Sequence, residues 1–198
     1  MQKKYLDLFY KLQAPFYDIT RRLILFNHKE AVDALDIQTN DIIYDIACGT
    51  GKNITHLKEK TKSDHIIGLD YSRALLHVAQ KNFPNIKFIQ TDVTTYTFNP
   101  KADKIICSYS LSMIDEREKA IANMVNNLNP WGKVVILDFN SKRKYWILSK
   151  CMRRFLKCCH INLEQNVDQE LKKHFNGIIV HNYHNGYNTI WIASKLKK

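Results

Sequence analysis

The 198-residue chain has only 6 glycines and 4 prolines, too few for a collagen-like or low-complexity polymer. Long apolar runs are missing as well. The longest, such as Leu23 to Phe26, hold four residues, far short of the about 20 that cross a bilayer. The opening MQKKYLDLFYKLQAPF carries Asp7 and lysines in place of an apolar core, which predicts no secretory leader and a cytoplasmic location. The 5 cysteines are odd in number and form no C-x-x-C pair, and the 8 histidines show no ligand spacing. Neither a disulfide framework nor a metal site is expected, and vicinal Cys158-Cys159 reads as two small semi-buried helix residues. Acids are scarce too: 19 Asp and Glu against 30 Lys and Arg leave a formal charge of +11. Such an excess points to an anionic partner, whether nucleic acid, an acidic small molecule or a membrane surface.

What is present is an ordinary globular composition, 45% hydrophobic, in a length that suits one domain. The chain alternates strand and helix signals. Helices are expected over 5–12 and 18–36, parted at Ala14-Pro15 because a residue before proline disfavours the α region. IIYDIA (42–47), HIIGLD (65–70), Asn85–Gln90, DKIICS (103–108) and VVILDF (134–139) read as strands. Helices are expected over 51–61, 72–82 with Ser72 as N-cap, and 115–128. IIVHNY (178–183) and NTIWIAS (188–194), joined by HNGY, read as a hairpin adding an antiparallel strand at one edge. The sum is a doubly wound α/β fold with a mostly parallel seven-stranded sheet and a C-terminal antiparallel hairpin. Its ligand belongs outside the C-terminal strand ends.

The segment Asp45-Ile46-Ala47-Cys48-Gly49-Thr50-Gly51 follows a strand and opens a helix. Glycines there admit a ligand close to the backbone and to free helix N–H groups. Asp70 ends the next strand, 19 residues after Gly51, where an acid accepts ribose hydroxyls. Asp92-Val93 follows the third strand and suits an adenine amino group. There is no G-x-G-x-x-G, and Asp45 before the turn suits a ligand amine and repels a pyrophosphate. The bland alternative is an α/β domain using these acids only as loop caps.

These motifs resemble motif I of the class I S-adenosylmethionine-dependent methyltransferases, with Ala47 in place of its first glycine. The resemblance implies a Rossmann-like fold and S-adenosyl-L-methionine as cofactor, leaving S-adenosyl-L-homocysteine. It implies Asp45, Ala47, Gly49 and Gly51 at the methionine end, with Asn53 and Ser108 beside them. Asp70 would hold the ribose, Tyr71 and Ser72 would follow it, and Asp92 and Val93 would meet the adenine. Tyr17 and Arg22 complete the expected cofactor set.

The acceptor is less constrained. After the fourth strand stands Cys107-Ser108-Tyr109-Ser110-Leu111-Ser112-Met113, without the Asn/Asp-Pro-Pro-aromatic clamp of base-flipping amino methyltransferases, so nucleic acid is not the expected acceptor. YDITRR, ACGTGKN, SYSLSMI and LDF resemble bacterial enzymes that N-methylate diacylglycerylhomoserine to betaine lipids, and the related phosphatidylethanolamine N-methyltransferases. Asn27-His28 stands where that family carries Gly-Arg. Tyr10, Tyr17 and Tyr109 are candidates for a cage around the methylated ammonium, and His28 is a candidate proton acceptor. A quinone precursor or small amine is the alternative acceptor. A nucleotide-binding module docked on RNA or membrane is the non-enzyme alternative.

Residues 141–160 hold seven of the net positive charges and no acid. Tyr145, Leu148, Met152, Phe155, Leu156 and Cys159 recur at helical spacing, the pattern of an interfacial helix on the inner face of a membrane. The expected plan is one domain. Lid helices over 1–36 precede a cofactor core over 37–140, a basic helical insertion over 141–176 and a hairpin over 177–198.

Overall fold

A computed structural model of the chain describes residues 25–140 and 166–197. Seven strands form one sheet in the order β3-β2-β1-β4-β5-β7-β6. They are β1 (Ile43–Ile46), β2 (Ile66–Asp70), β3 (Lys87–Gln90), β4 (Ala102–Ser108), β5 (Leu128–Phe139), β6 (Phe175–Tyr183) and β7 (Asn188–Leu196). The first five run parallel. β7 is antiparallel to both β5 and β6. The helices are α1 (His28–Asp33), α2 (Lys52–Leu57), α3 (Arg73–Asn82), α4 (Arg117–Asn126) and α5 (Val167–His174).

The isoleucine-rich strand runs lie in the middle because both faces of a parallel sheet are covered. All four residues of β1 and all five of β2 are buried. Alternate side chains feed two cores. On one face Tyr44, Ile46, Ile105 and Trp191 meet α4 and α5 through Ile121, Met124 and Leu171. On the other, Ile43, Ile66, Ile106 and Val135 meet α1, the turn after it and α2 through Val32, Leu35, Ile54 and Leu57. Strand order reverses between β1 and β4, which opens a crevice at their C-terminal ends.

The doubly wound fold and the hairpin agree with expectation, and several element bounds do not. The helix expected over 18–36 is broken where described: Asn27 is left-handed at φ 64, and α1 starts only at His28. The helix expected over 51–61 ends at Leu57. The hairpin sits at one edge of the sheet as expected, with β6 outermost and β7, whose start Asn188 to Trp191 is buried, beside β5. The hairpin starts at Phe175, ahead of the expected 177. Ser72 caps α3 as expected, its Oγ accepting from Leu75 N at 3.4 Å.

Gly68, in the middle of β2, carries a packing constraint. A Cβ there would stand 2.5 Å from Phe88 and 2.9 Å from the Cys48 sulfur. Gly68→Ala is expected to lower stability by about 1–3 kcal/mol through overpacking, read as a lower urea midpoint at unchanged slope.

Candidate functional site

The turn after β1 reverses direction within five residues, and three of them take left-handed backbone: Ala47 at φ 50, Gly49 at φ 57 and Gly51 at φ 88. For Ala47 this conformation costs about 1–2 kcal/mol that glycine would avoid. Gly51 is required for a second reason, since a Cβ there would lie 2.8 Å from the Phe83 ring. Backbone bonds fasten the turn: Cys48 N donates to Leu69 O and Gly51 N to Cys48 O, both at 2.9 Å.

Two acids lie beneath and beside this turn. Asp70 ends β2, and its two carboxylate oxygens accept from Gly49 N and Ser72 N, each at 2.8 Å. Burial lifts its pKa to about 6 against the pull of the Ser72, Gly49 and Tyr71 backbone N–H groups. A carboxylate offers roughly four acceptor positions, so these three leave one for a ligand hydroxyl. Asp45, in β1, has 0% exposure. Burial raises its pKa to about 7, opposed by the Asn53 amide and reinforced by the Asp70 charge. Its Oδ1 accepts from Asn53 Nδ2 at 2.8 Å, while its Oδ2 is buried with no hydrogen-bond partner.

A cavity of about 390 Å³ opens at this crevice, within the range of small-molecule pockets. Ala47, Gly49 and Asn53 form its floor, with Asp70 and Tyr71 on the β2 side. Asp92 and Val93 line it after β3, Ser108 and Tyr109 after β4, and His28 from α1. Ten of the expected site residues therefore meet around one space. Asp45, Gly51 and Ser72 do not line it; they support it as buried acid, turn residue and helix cap. Tyr10, Tyr17, Arg22 and the basic segment 141–160 lie outside the described residues. Asp92 also caps its own loop, accepting from Thr94 N at 3.0 Å and Thr94 Oγ1 at 2.8 Å.

Tyr109 departs from the role of a cage face. Its ring packs on Phe139 at 4.9 Å and on His28 at 5.5 Å. Its hydroxyl donates to Phe26 O at 2.9 Å and accepts from Phe26 N at 3.1 Å and Asn188 Nδ2 at 2.5 Å. It clasps the segment ahead of α1, and burial holds its pKa above the ordinary tyrosine range. The stretch Met113 to Glu116 also lines the cavity and was not anticipated. Its position just past β4, at the strand reversal, was the available signal. The wall holds four carboxylates, of Asp70, Asp92, Asp115 and Glu116, against the single permanent cation of Lys52 among the described residues.

These features fit an S-adenosylmethionine-sized ligand: a turn that admits close approach, a spare acceptor on Asp70, and a wall of carboxylates around the space.

Residues 43–132 match a family model described as a methyltransferase domain. Over 170 residues the chain is 31% identical to the ubiquinone/menaquinone biosynthesis C-methyltransferase UbiE of Campylobacter jejuni, covering 79% of this chain and 72% of that protein. A solved Haemonchus contortus phosphoethanolamine N-methyltransferase 2, in complex with phosphomonomethylethanolamine and S-adenosylhomocysteine, superposes with a TM-score of 0.72 at 16% identity. That match covers 87% of this chain, which spans only 53% of the larger enzyme. The [4+2]-cyclase SpnF superposes with a TM-score of 0.76 at 13% identity, covering 98% of this chain and 97% of its own. One scaffold thus carries methyl transfer and cyclisation, and the reaction is decided by the site.

The buried acids generate a testable pH dependence. An acid whose folded pKa exceeds its unfolded value holds more protons when folded, so stability falls as pH rises between the two values. For Asp45 that window runs from the ordinary 3.8 to about 7. Asp45→Asn is expected to remove on the order of 2–4 kcal/mol of this loss in the ligand-free protein, read by urea unfolding at the two ends of the window.

Proposed function

The chain belongs to the class I S-adenosylmethionine-dependent methyltransferases, and within that family we propose that it N-methylates a lipid head-group amine at a membrane surface. The acceptor is diacylglycerylhomoserine and the product a trimethylated betaine lipid; phosphatidylethanolamine is the nearest alternative. S-adenosyl-L-methionine supplies a methyl group already activated by its sulfonium charge. The residues' task is then to hold donor and acceptor in line.

The observation that carries this reading is the sign of the cavity. A chain of +11 lines this cavity with four carboxylates. Such a wall favours a cationic acceptor and the permanent cation formed as methyls accumulate, and it disfavours a phenolate. Motifs at residues 17–22, 47–53, 108–114 and 137–139 support the same acceptor by resemblance. The second reading is methylation of a quinol ring carbon, favoured by the C. jejuni relative's printed activity. In both readings the acceptor is lipid-soluble, and the basic segment 141–160 supplies contact with an anionic leaflet. Among the described residues no helix is long and apolar enough to cross a membrane.

The full chain is to be incubated with S-adenosylmethionine and micelles of diacylglycerylhomoserine, phosphatidylethanolamine or demethylmenaquinol, and the lipids weighed by mass spectrometry. Successive methyl additions to the homoserine lipid are expected. Methylation of the quinol alone would establish the second reading. Replacing both Arg153 and Arg154 by Glu is expected to weaken binding to anionic vesicles at least tenfold, at about 1 kcal/mol per charge, with unchanged S-adenosylhomocysteine affinity by calorimetry.

A further inference from the structure

His28 is 7% exposed and lines the cavity. Its Nδ1 lies 2.7 Å from Asn53 Oδ1, and its Nε2 is buried with no hydrogen-bond partner. Asn53 is held in turn, its Nδ2 donating to Asp45 Oδ1 at 2.8 Å and to Ser108 Oγ at 3.1 Å. Above its pKa of about 7 the Asp45 carboxylate is ionised and accepts only, so the edge of the amide facing it is the NH₂ edge. That turns the amide oxygen toward His28 Nδ1 at 2.7 Å and Ser108 Oγ at 3.3 Å, and at 2.7 Å two facing lone pairs would repel, so the ring nitrogen there must donate. Nδ1 therefore carries the imidazole proton, and Nε2 carries a lone pair.

We propose that Asp45 and Asn53 are positioning residues that lock His28 in its Nδ1–H tautomer, so that Nε2 is the catalytic group taking the proton from the methyl acceptor. The proposal rests on the amine reading above for the identity of that acceptor. The proton leaves the acceptor's N–H bond for Nε2, and the bond's electron pair stays on the acceptor nitrogen as the nucleophilic lone pair. Imidazole becomes imidazolium, keeps its Nδ1–H bond to Asn53, and releases the proton to solvent before the next turnover.

Two further observations support this assignment. A buried acceptor left unmade costs about 1–3 kcal/mol, so His28 Nε2, unpartnered on a residue that lines the cavity, points to a partner that arrives with a ligand. The ring is also neutral in the free protein. Burial takes its pKa down to about 4, against the Asn53 bond. The charged and titratable groups around it are Lys52 and His56 from the α2 side, Glu30 on its own helix, and Tyr109, whose ring is 5.5 Å away. The same desolvation acts on the acceptor's ammonium, so the two costs oppose each other during transfer.

The test uses the full chain with ¹⁵N-labelled histidine. Near pH 8 the His28 Nε2 resonance is expected at the position of an unprotonated ring nitrogen and Nδ1 at that of a protonated one, with the preference lost in Asn53→Ala. Observation of the Nε2–H tautomer, or of imidazolium, overturns the proposal whatever the acceptor proves to be. With whichever lipid the chain methylates, His28→Ala is expected to lower kcat by about 10²–10⁴-fold while S-adenosylhomocysteine affinity by calorimetry is unchanged. Undiminished kcat overturns the base role. Failure to methylate any offered amine, with the Nδ1–H tautomer present, counts against the amine reading alone.

Discussion

The side-chain amide of Asn53 is the interaction around which the site is assembled. Its two edges join β1 through Asp45, α1 through His28, and the end of β4 through Ser108, while its own backbone belongs to α2. Four elements meet at one planar group with fixed donor and acceptor sides. Buried networks of this kind are costly when a member is missing and rigid when all are present. The positions of turn, base and floor are therefore not independent. Any rotation of the amide exchanges a donor for an acceptor at two neighbours at once.

Around this hub the charge distribution is opposite to that of the chain as a whole. The net +11 belongs largely to residues 141–160, whereas the cavity wall is acidic. The separation has a physical logic. An acidic wall stabilises cationic ligands where water is scarce, and a cluster of Lys and Arg elsewhere in the chain favours anionic surroundings. A basic composition, taken alone, had left nucleic acid among the partners; the sign inside the pocket bears on that question more directly than the total does.

Much of the fold was legible because parallel strands buried on both faces read as continuous apolar runs, as IIYDIA and HIIGLD do. The acids at strand ends were legible for the same reason, since a doubly wound sheet places its ligand there. The break at Asn27 was not. Its left-handed backbone is stabilised by Asn188 Nδ2, which reaches Asn27 Oδ1 at 3.1 Å from the far end of the chain, and by the Tyr109 clasp on Phe26. Local propensity carries no trace of either. The stretch from Met113 to Glu116 was missed because its entry is a short 3₁₀ turn, Leu111–Met113, without glycine or a charge signature. The pairing of His28 with Asn53 joins two helices separated by a strand, which no spacing rule connects. The hairpin signal leaves open which of its two strands is interior; the fully buried start of β7, Asn188 to Trp191, distinguishes it from exposed Ile179 and Val180 on β6.

The clasp made by Tyr109 has a consequence for how the site is calibrated. Its hydroxyl grips both backbone groups of Phe26, two residues before His28, and is itself braced by Asn188 of β7. The C-terminal strand thereby acts as a gauge block for the N-terminal segment, setting the height at which the imidazole stands over the turn after β1. Drift in the packing of β7 against β5 would be transmitted to the ring as a change of altitude, although β7 contributes no residue to the cavity wall.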